Sequence, residues 1–249
     1  MPVFRSILFV LALVFASGSA LAQQAEPFTP EQKAAMQGLV REILIKNPEI
    51  LIEAMQALEA KQQDDAGKAA KAAIAEHRKE LLDDGVSYVA GNPKGDVTIV
   101  EFFDYRCPYC KQVVPALQQL IKEDKKLRVV FKELPVLGPD SIFAARAAIA
   151  AIEQDKGAKY MAFHDAMMGQ RGQLTEAEVL RLAGEAGLKL DKLKADMMAP
   201  KTDKVIRDNL TLADKLGIRG TPGFVIGDEL VPGAIPLESL RQLVKAARG

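Results

Sequence analysis

The sequence Cys107-Pro108-Tyr109-Cys110 constrains this chain most, because of what stands on either side of it. Before it, Val97–Phe103 is a short β-branched and aromatic run that predicts a buried strand. After it, apolar residues recur at helical spacing: Val113, Val114, Leu117, Leu120 and Ile121. The two cysteines are therefore predicted to lie where a strand passes into a helix.

The elements that follow complete a recognisable order. Leu127–Phe131 predicts a second strand, and strand, helix, strand is the parallel crossover unit. Residues 138–217 have a helical pattern throughout. A hairpin around Gly227-Asp228 and a closing amphipathic helix end the chain: Phe224–Ile226, Glu229–Val231 and residues 235–247. This order predicts an α/β, thioredoxin-like fold over residues 91–249 with an inserted helical domain.

The two cysteines are better suited to reaction than to stabilisation. No other cysteine occurs, and a disulfide between residues three apart closes too short a loop to stabilise much. At a helix start, unpaired N–H groups and the helix dipole favour the thiolate of Cys107. Pro108 suits the first helical position, where its missing donor is no loss. We predict that Cys107 meets solvent and attacks a client disulfide, and that the shielded Cys110 resolves the mixed disulfide.

Half of a zinc site is the alternative reading of this cysteine pair. Such a site needs two further ligands, and the chain has only His77 and His164 and no second Cys-x-x-Cys. The remaining ligands would have to be carboxylates or come from another chain. We therefore expect redox chemistry with no metal and no cofactor.

Glu101 stands in the middle of the first core strand, six residues before Cys107. If it is buried, its raised pKa would let the carboxylate accept the proton of Cys110 and return it. If the strand lies at a sheet edge, Glu101 points to solvent instead. The pattern alone leaves both open.

Gly220-Thr221-Pro222-Gly223 precedes the hairpin and is the second marker near the site. A cis bond before Pro222 would leave neighbouring backbone groups free to pair with a client strand beside the cysteines. Together with Pro108 and Tyr109, residues Thr221 and Pro222 are predicted to bind the client.

The first residues predict export. Arg5, an apolar stretch from Ile7 to Phe15 and an Ala-x-Ala-like site at Ala20-Leu21-Ala22 match a signal peptide over residues 1–22. An uncleaved anchor is the alternative, but it would need about 20 apolar residues. The acidic and basic residues balance at 33 each, so no nucleic-acid partner is expected.

Residues 23–90 predict a helical segment before the core, rich in Ala, Glu, Lys and Gln. We expect a break at Asn47-Pro48 and a third, polar helix over about residues 67–82. Apolar residues such as Met36, Leu39 and Val40 recur at steps of three and four, which predicts an apolar helix face that must pack against another surface. They either fold back on the core or pair with other copies of the chain, and the polar stretch after Ala60 favours self-association.

The stretch Val100 to Lys111, with the Gly-Thr-Pro-Gly sequence downstream, resembles the DsbA family of periplasmic oxidoreductases over about residues 97–247. The resemblance implies a nucleophilic Cys107, a resolving Cys110, a buried proton acceptor at Glu101 and a cis proline at Pro222. It implies soluble, periplasmic disulfide exchange with exported clients and a membrane partner that resets the cysteines. Tyr109 replaces the histidine of the DsbA archetype, which predicts a less oxidising disulfide.

Residues Ile43–Ala54 resemble the N-terminal region of the suppressor-of-copper-sensitivity C proteins. That resemblance implies oligomerisation, and an oligomer suits isomerase or reductase work better than simple oxidation. A monomeric dithiol oxidase and a copper-binding protein that uses the reduced cysteine pair are the alternatives. The methionine pairs Met167-Met168 and Met197-Met198 are either soft ligands for copper or, as is more typical of methionine at helical positions, core residues. Lys132 is either a charge near the site or an exposed strand-end lysine.

Overall fold

The computed structural model describes residues 28–155 and 157–249. The predicted signal peptide over residues 1–22 lies outside these ranges. The chain divides into two compact units, one ending at Leu58 and one running from Glu59 to Gly249. Among the described helices, none is both long enough and apolar enough to cross a bilayer.

The first unit contains helix α1 (Pro30–Lys46) and the start of α2 (Glu49–Glu76). Thr29 and Gln32 form a capping box at the start of α1, and Asn47 ends the helix by donating to the Ile43 carbonyl. The predicted break at Asn47-Pro48 is therefore confirmed. No residue of α1 is buried, and many large apolar side chains are exposed: Met36, Leu39, Val40, Ile43, Ile45, Ile50, Leu51, Ile52, Met55 and Leu58.

The prediction of a separate third helix from Gly67 to Leu82 is wrong. Helix α2 continues to Glu76, because this Ala-rich stretch has high helix propensity, and a short α3 (Arg78–Leu82) follows. Ile74 and Leu81 are buried in one apolar cluster of the second unit. This part of the helical segment is therefore anchored on the core.

The core is a five-stranded sheet in the order β1-β3-β2-β4-β5. β2 pairs parallel with β3 and antiparallel with β4, so it is the central strand. The outer pairs β1·β3 and β4·β5 are antiparallel. The strands have these bounds: β1 (Tyr88–Gly91), β2 (Val97–Phe103), β3 (Leu127–Glu133), β4 (Gly223–Ile226) and β5 (Glu229–Pro232).

Seven helices surround this sheet: α4 (Pro108–Glu123), α5 (Pro139–Gln154), α6 (Ala158–Gly169), α7 (Glu176–Glu185), α8 (Leu190–Met197), α9 (Pro200–Lys215) and α10 (Leu237–Arg248). α5 to α9 lie between β3 and β4 and form the predicted helical insertion. The fold is thus the predicted thioredoxin-like architecture, with the hairpin and closing helix confirmed. Odd-numbered residues of β2, such as Ile99 and Phe103, share a cluster with α4 and the insertion, while Val100 and Phe102 face the opposite side.

Two sequence expectations about the sheet are corrected. β1 was not expected, because the predicted helical segment extended to residue 90 and only Tyr88 and Val89 are strong strand formers there. Lys132 is neither near the cysteines nor exposed. It is 1% exposed, lies level with Phe102 on the far face of the sheet, and its Nζ contacts the Asp84 Oδ2 at 2.6 Å.

Candidate active site

The loop between β2 and α4 carries the cysteines. Cys107 is the N-cap of α4 and Pro108 is its first residue, so the predicted strand-to-helix junction is confirmed. The Cys107 amide donates to the Asp104 carbonyl (3.0 Å), which turns the chain into the helix. The Cys107 sulfur therefore stands at the N-terminus of a sixteen-residue helix, beside its unpaired backbone amides and the positive end of its dipole.

Both cysteines are free thiols, and they differ less in exposure than the sequence suggested. Cys110 is 0% exposed, as expected, but Cys107 is only 3% exposed. The prediction that Cys107 meets solvent is wrong because another chain segment covers its sulfur. The Cys107 Sγ donates to the Thr221 carbonyl at 3.2 Å.

The covering segment is the loop before β4. The Thr221–Pro222 peptide bond is cis, which confirms the geometry that the family resemblance implied. The Pro222 carbonyl accepts a hydrogen bond from the Gly233 amide at 2.8 Å, so it already has a partner within the chain. Contact between the Thr221 carbonyl and Cys107 places this loop directly beside the reactive sulfur.

Glu101 is buried rather than at a sheet edge. It is 2% exposed, belongs to the central strand, and occupies an odd position on the face that also holds Cys110. Among the described residues, its Oε1 is the buried side-chain oxygen without a hydrogen-bond partner. Burial raises the pKa of Glu101 to about 8, so the carboxyl is poised to exchange a proton near neutral pH.

The Cys110 thiol is held in its neutral form. Burial raises its pKa well above the usual range, and the negative charges of Glu101 and Cys107 raise it further. Cys110 therefore needs a proton acceptor before it can attack, and the assignment of that role to Glu101 stays a prediction.

The other predicted client-binding residues lie around the reactive sulfur. Pro108 and Tyr109 are exposed in the first turn of α4, with Tyr109 at 61%. Thr221 is partly exposed and Pro222 is buried. Their positions fit a surface for a client segment, and their binding roles stay predictions.

Sequence reasoning missed two buried polar groups beside the site. The Asp104 carboxylate accepts several hydrogen bonds from the loop after β3 and from α5. The Tyr105 hydroxyl lies 3.0 Å from the His164 Nδ1, inside an aromatic cluster with Phe103 and Phe131. Asp104 stands between the aromatic residues Phe103 and Tyr105, which is a sequence signal for a buried polar group, but its hydrogen-bond partners are distant in sequence.

The zinc alternative finds no support in the described part of the chain. His164 is buried against Tyr105, and burial lowers its pKa to about 3. His77 occupies the N-cap position of α3 without a side-chain capping bond, and its Nδ1 lies 3.6 Å from the Glu80 Oε1. No cluster of three or more His, Cys, Asp or Glu side chains suited to a metal occurs in residues 28–155 and 157–249.

The reactivity of the two thiols is expected to differ. At neutral pH, iodoacetamide should modify Cys107 at least about tenfold faster than Cys110, because Cys107 is the N-cap of α4 whereas Cys110 is held protonated by burial. Timed quenching and peptide mass spectrometry measure both rates, and Cys107→Ala and Cys110→Ala isolate each thiol. Equal rates at the two sulfurs would contradict this ordering.

Comparison with known proteins agrees with this geometry. Residues 98–245 match the DSBA-like thioredoxin domain, and residues 32–64 match the copper resistance protein ScsC N-terminal domain. A thioredoxin-like oxidoreductase from Silicibacter pomeroyi is 48% identical, covering 69% of this chain and 97% of its own, with a TM-score of 0.66. ScsC from Proteus mirabilis, in a transitional conformation, is 32% identical over 89% of this chain and 99% of its own, with a TM-score of 0.65.

Among curated relatives, the Na(+)/H(+) antiporter NhaA 3 of Salinispora tropica is 32% identical over 168 residues, which is 67% of this chain. This chain spans only 25% of the length of that antiporter, so the antiporter's own activity is not assigned to it. The chain belongs to the DsbA-like thioredoxin-domain family of thiol–disulfide oxidoreductases. Its N-terminal match and its solved neighbours place it with the ScsC proteins inside that class.

Proposed function

We propose that this protein exchanges disulfides with exported client proteins in the periplasm, through Cys107 and Cys110. The observation that carries the proposal is the Cys107 sulfur at the N-terminus of α4, in contact with the Thr221 carbonyl and in one apolar cluster with the buried Cys110. The buried Glu101 lies on the same face of the sheet as this cluster. A nucleophile, a resolving thiol and a proton acceptor are thus grouped in one place. The predicted signal peptide supports the compartment.

In the reducing direction, the Cys107 thiolate attacks one sulfur of a client disulfide and expels the other as a thiolate. The product is a mixed disulfide between Cys107 and the client. Cys110 gives its proton to the Glu101 carboxylate, attacks the Cys107 sulfur and expels the client's second thiolate. The client is reduced by two electrons and the Cys107–Cys110 pair is oxidised by two. Glu101 then returns its proton to the leaving thiolate or to water.

Isomerisation uses the same first step without the second. The released client thiolate can attack another disulfide of the same client and expel a new client thiolate. A client thiolate then attacks the client sulfur of the mixed disulfide and expels Cys107 as a thiolate, with no net oxidation. Tyr109 in place of histidine favours this reductive use, because it removes a cation that would hold the Cys107 thiolate. A membrane partner that resets the pair belongs to this proposal. A monomeric oxidase that runs the first scheme in reverse is the alternative.

The exposed apolar residues of α1 and the start of α2 support the isomerase reading. Such a surface is normally covered, and a second copy of the same segment would cover it symmetrically. The match of residues 32–64 to the ScsC N-terminal domain covers this surface. Several Cys107 sites in one oligomer would act on one client at high effective concentration.

Self-association predicts a specific effect of Met36→Glu, which puts a charge on an exposed apolar position of α1. The variant should become monomeric, keep insulin reduction and lose most of its activity on scrambled ribonuclease. Ala34→Glu is the matched control, because two residues along a helix lie about 200° apart. Light scattering at micromolar concentration measures the mass. If the wild-type protein is already monomeric at this concentration, self-association is refuted and the monomeric dithiol oxidase becomes the favoured function.

Copper capture by the reduced cysteine pair is the second candidate, and the copper-resistance family match of residues 32–64 is what favours it. Titrating the reduced protein with Cu(I) against a simple dithiol separates the two functions. If the protein is an enzyme and not a copper-binding protein, its affinity for Cu(I) should be no higher than that of the simple dithiol. Affinity far above it, in a protein without disulfide turnover, would favour copper capture.

A further inference from the structure

Asp104 is the last residue before the active-site turn, and its carboxylate is unusually well connected. It is 2% exposed and accepts four hydrogen bonds, the full number of sites that two carboxylate oxygens offer. Its donors are spread over three segments: the Arg106 amide (2.8 Å), the Ser141 hydroxyl (2.8 Å), the Val136 amide (2.9 Å) and the Leu137 amide (3.1 Å).

The backbone of Asp104 also contacts the first cysteine. Its carbonyl accepts from the Cys107 amide at 3.0 Å, at the start of α4. Asp104 therefore helps to fix the position of the attacking cysteine.

The side-chain partners show what Asp104 is fastened to. Val136 and Leu137 belong to the loop after β3, and Ser141 lies in the first turn of α5. The same loop receives a second contact, from the Arg106 guanidinium to the Leu137 carbonyl at 2.9 Å. The catalytic turn is thus tied to the loop and the first helical turn with which the helical insertion begins.

We propose that Asp104 is a positioning residue for thiol exchange, which fixes the catalytic turn to the helical insertion and so sets where Cys107 stands at the start of α4. This inference rests on the proposed function. The role needs a short side chain with two acceptor oxygens. Asparagine keeps one acceptor but places an N–H₂ group where an oxygen now accepts, so it should preserve only part of the network.

The test compares Asp104→Ala and Asp104→Asn with Asp124→Ala. Asp124 is a matched control, because it lies at the opposite end of α4 from the cysteines and its carboxylate also accepts hydrogen bonds, from the Lys126 amide and the Arg248 guanidinium. Two readouts are taken on the full mature protein, after circular dichroism has shown that each variant is folded. They are the ratio of iodoacetamide rates at Cys107 and Cys110, and kcat/KM for insulin reduction.

Asp104→Ala should lower kcat/KM by about ten- to a hundredfold and shrink the alkylation ratio by about tenfold, with Asp104→Asn in between. Asp124→Ala should stay within about twofold of wild type in both. If Asp104→Ala does not fold, Asp104→Asn decides. Asp104 variants indistinguishable from Asp124→Ala would overturn the role. A wild-type protein that does not reduce insulin refutes the proposed function instead, and the alkylation ratios still decide on Asp104.

Discussion

Replacing Cys107 with serine is expected to abolish insulin reduction, with a loss on the order of a thousandfold or more. A serine hydroxyl stays protonated at neutral pH and cannot form a disulfide, so neither step of the exchange can begin. The fold should survive, because the side chains are similar in size and the serine hydroxyl can still donate to the Thr221 carbonyl. Turbidity of reduced insulin measures the rate.

Cys110→Ser is the matched control for this variant. It keeps the nucleophile and should form the mixed disulfide without resolving it, so it accumulates client adducts instead of product. Activity retained by a folded Cys107→Ser protein would show that the exchange does not pass through Cys107.

Glu101→Gln is expected to change how the free energy of unfolding depends on pH. Burial raises the Glu101 pKa from 4.5 to about 8, so the native state binds more protons than the unfolded state between these values. Stability from this group is therefore lost as pH rises from about 4.5 to 8. The lost free energy is on the order of a few kcal/mol. Glutamine has no proton to lose and should show a flatter profile.

Urea unfolding of the reduced protein at pH 5 and pH 9 measures this effect. As pH rises, the free energy of unfolding of Glu101→Gln should increase relative to that of wild type. Glu59→Gln changes an exposed position of α2, and its free energy of unfolding should follow that of wild type. The same Glu101 variant should resolve mixed disulfides more slowly, because an amide cannot take the Cys110 proton. A constant difference in stability between the two pH values would show that Glu101 does not titrate as a buried carboxyl.

Local pattern was enough to predict most of the core. The apolar run Val97–Phe103, the cysteine spacing and the hairpin around Gly227-Asp228 are short-range signals, and each led to the right element. The cis bond before Pro222 followed from family resemblance, since residue type alone does not determine it.

What the sequence did not show depends on contacts between distant segments. The burial of Cys107 comes from the carbonyl of Thr221, more than a hundred residues away. The burial of Lys132 depends on Asp84, and the connections of Asp104 depend on a loop about thirty residues downstream. The face occupied by Glu101 became clear only once β2 was seen to be the central strand.

Trapping of the mixed disulfide tests the central claim most directly. The Cys110→Ser protein is reduced, mixed with a peptide that contains one disulfide, quenched with acid and measured by intact mass and peptide mapping. We predict a single adduct of one peptide thiol, linked to Cys107, that wild-type protein does not retain. Absence of an adduct under conditions where a simple dithiol reduces the peptide would contradict the account.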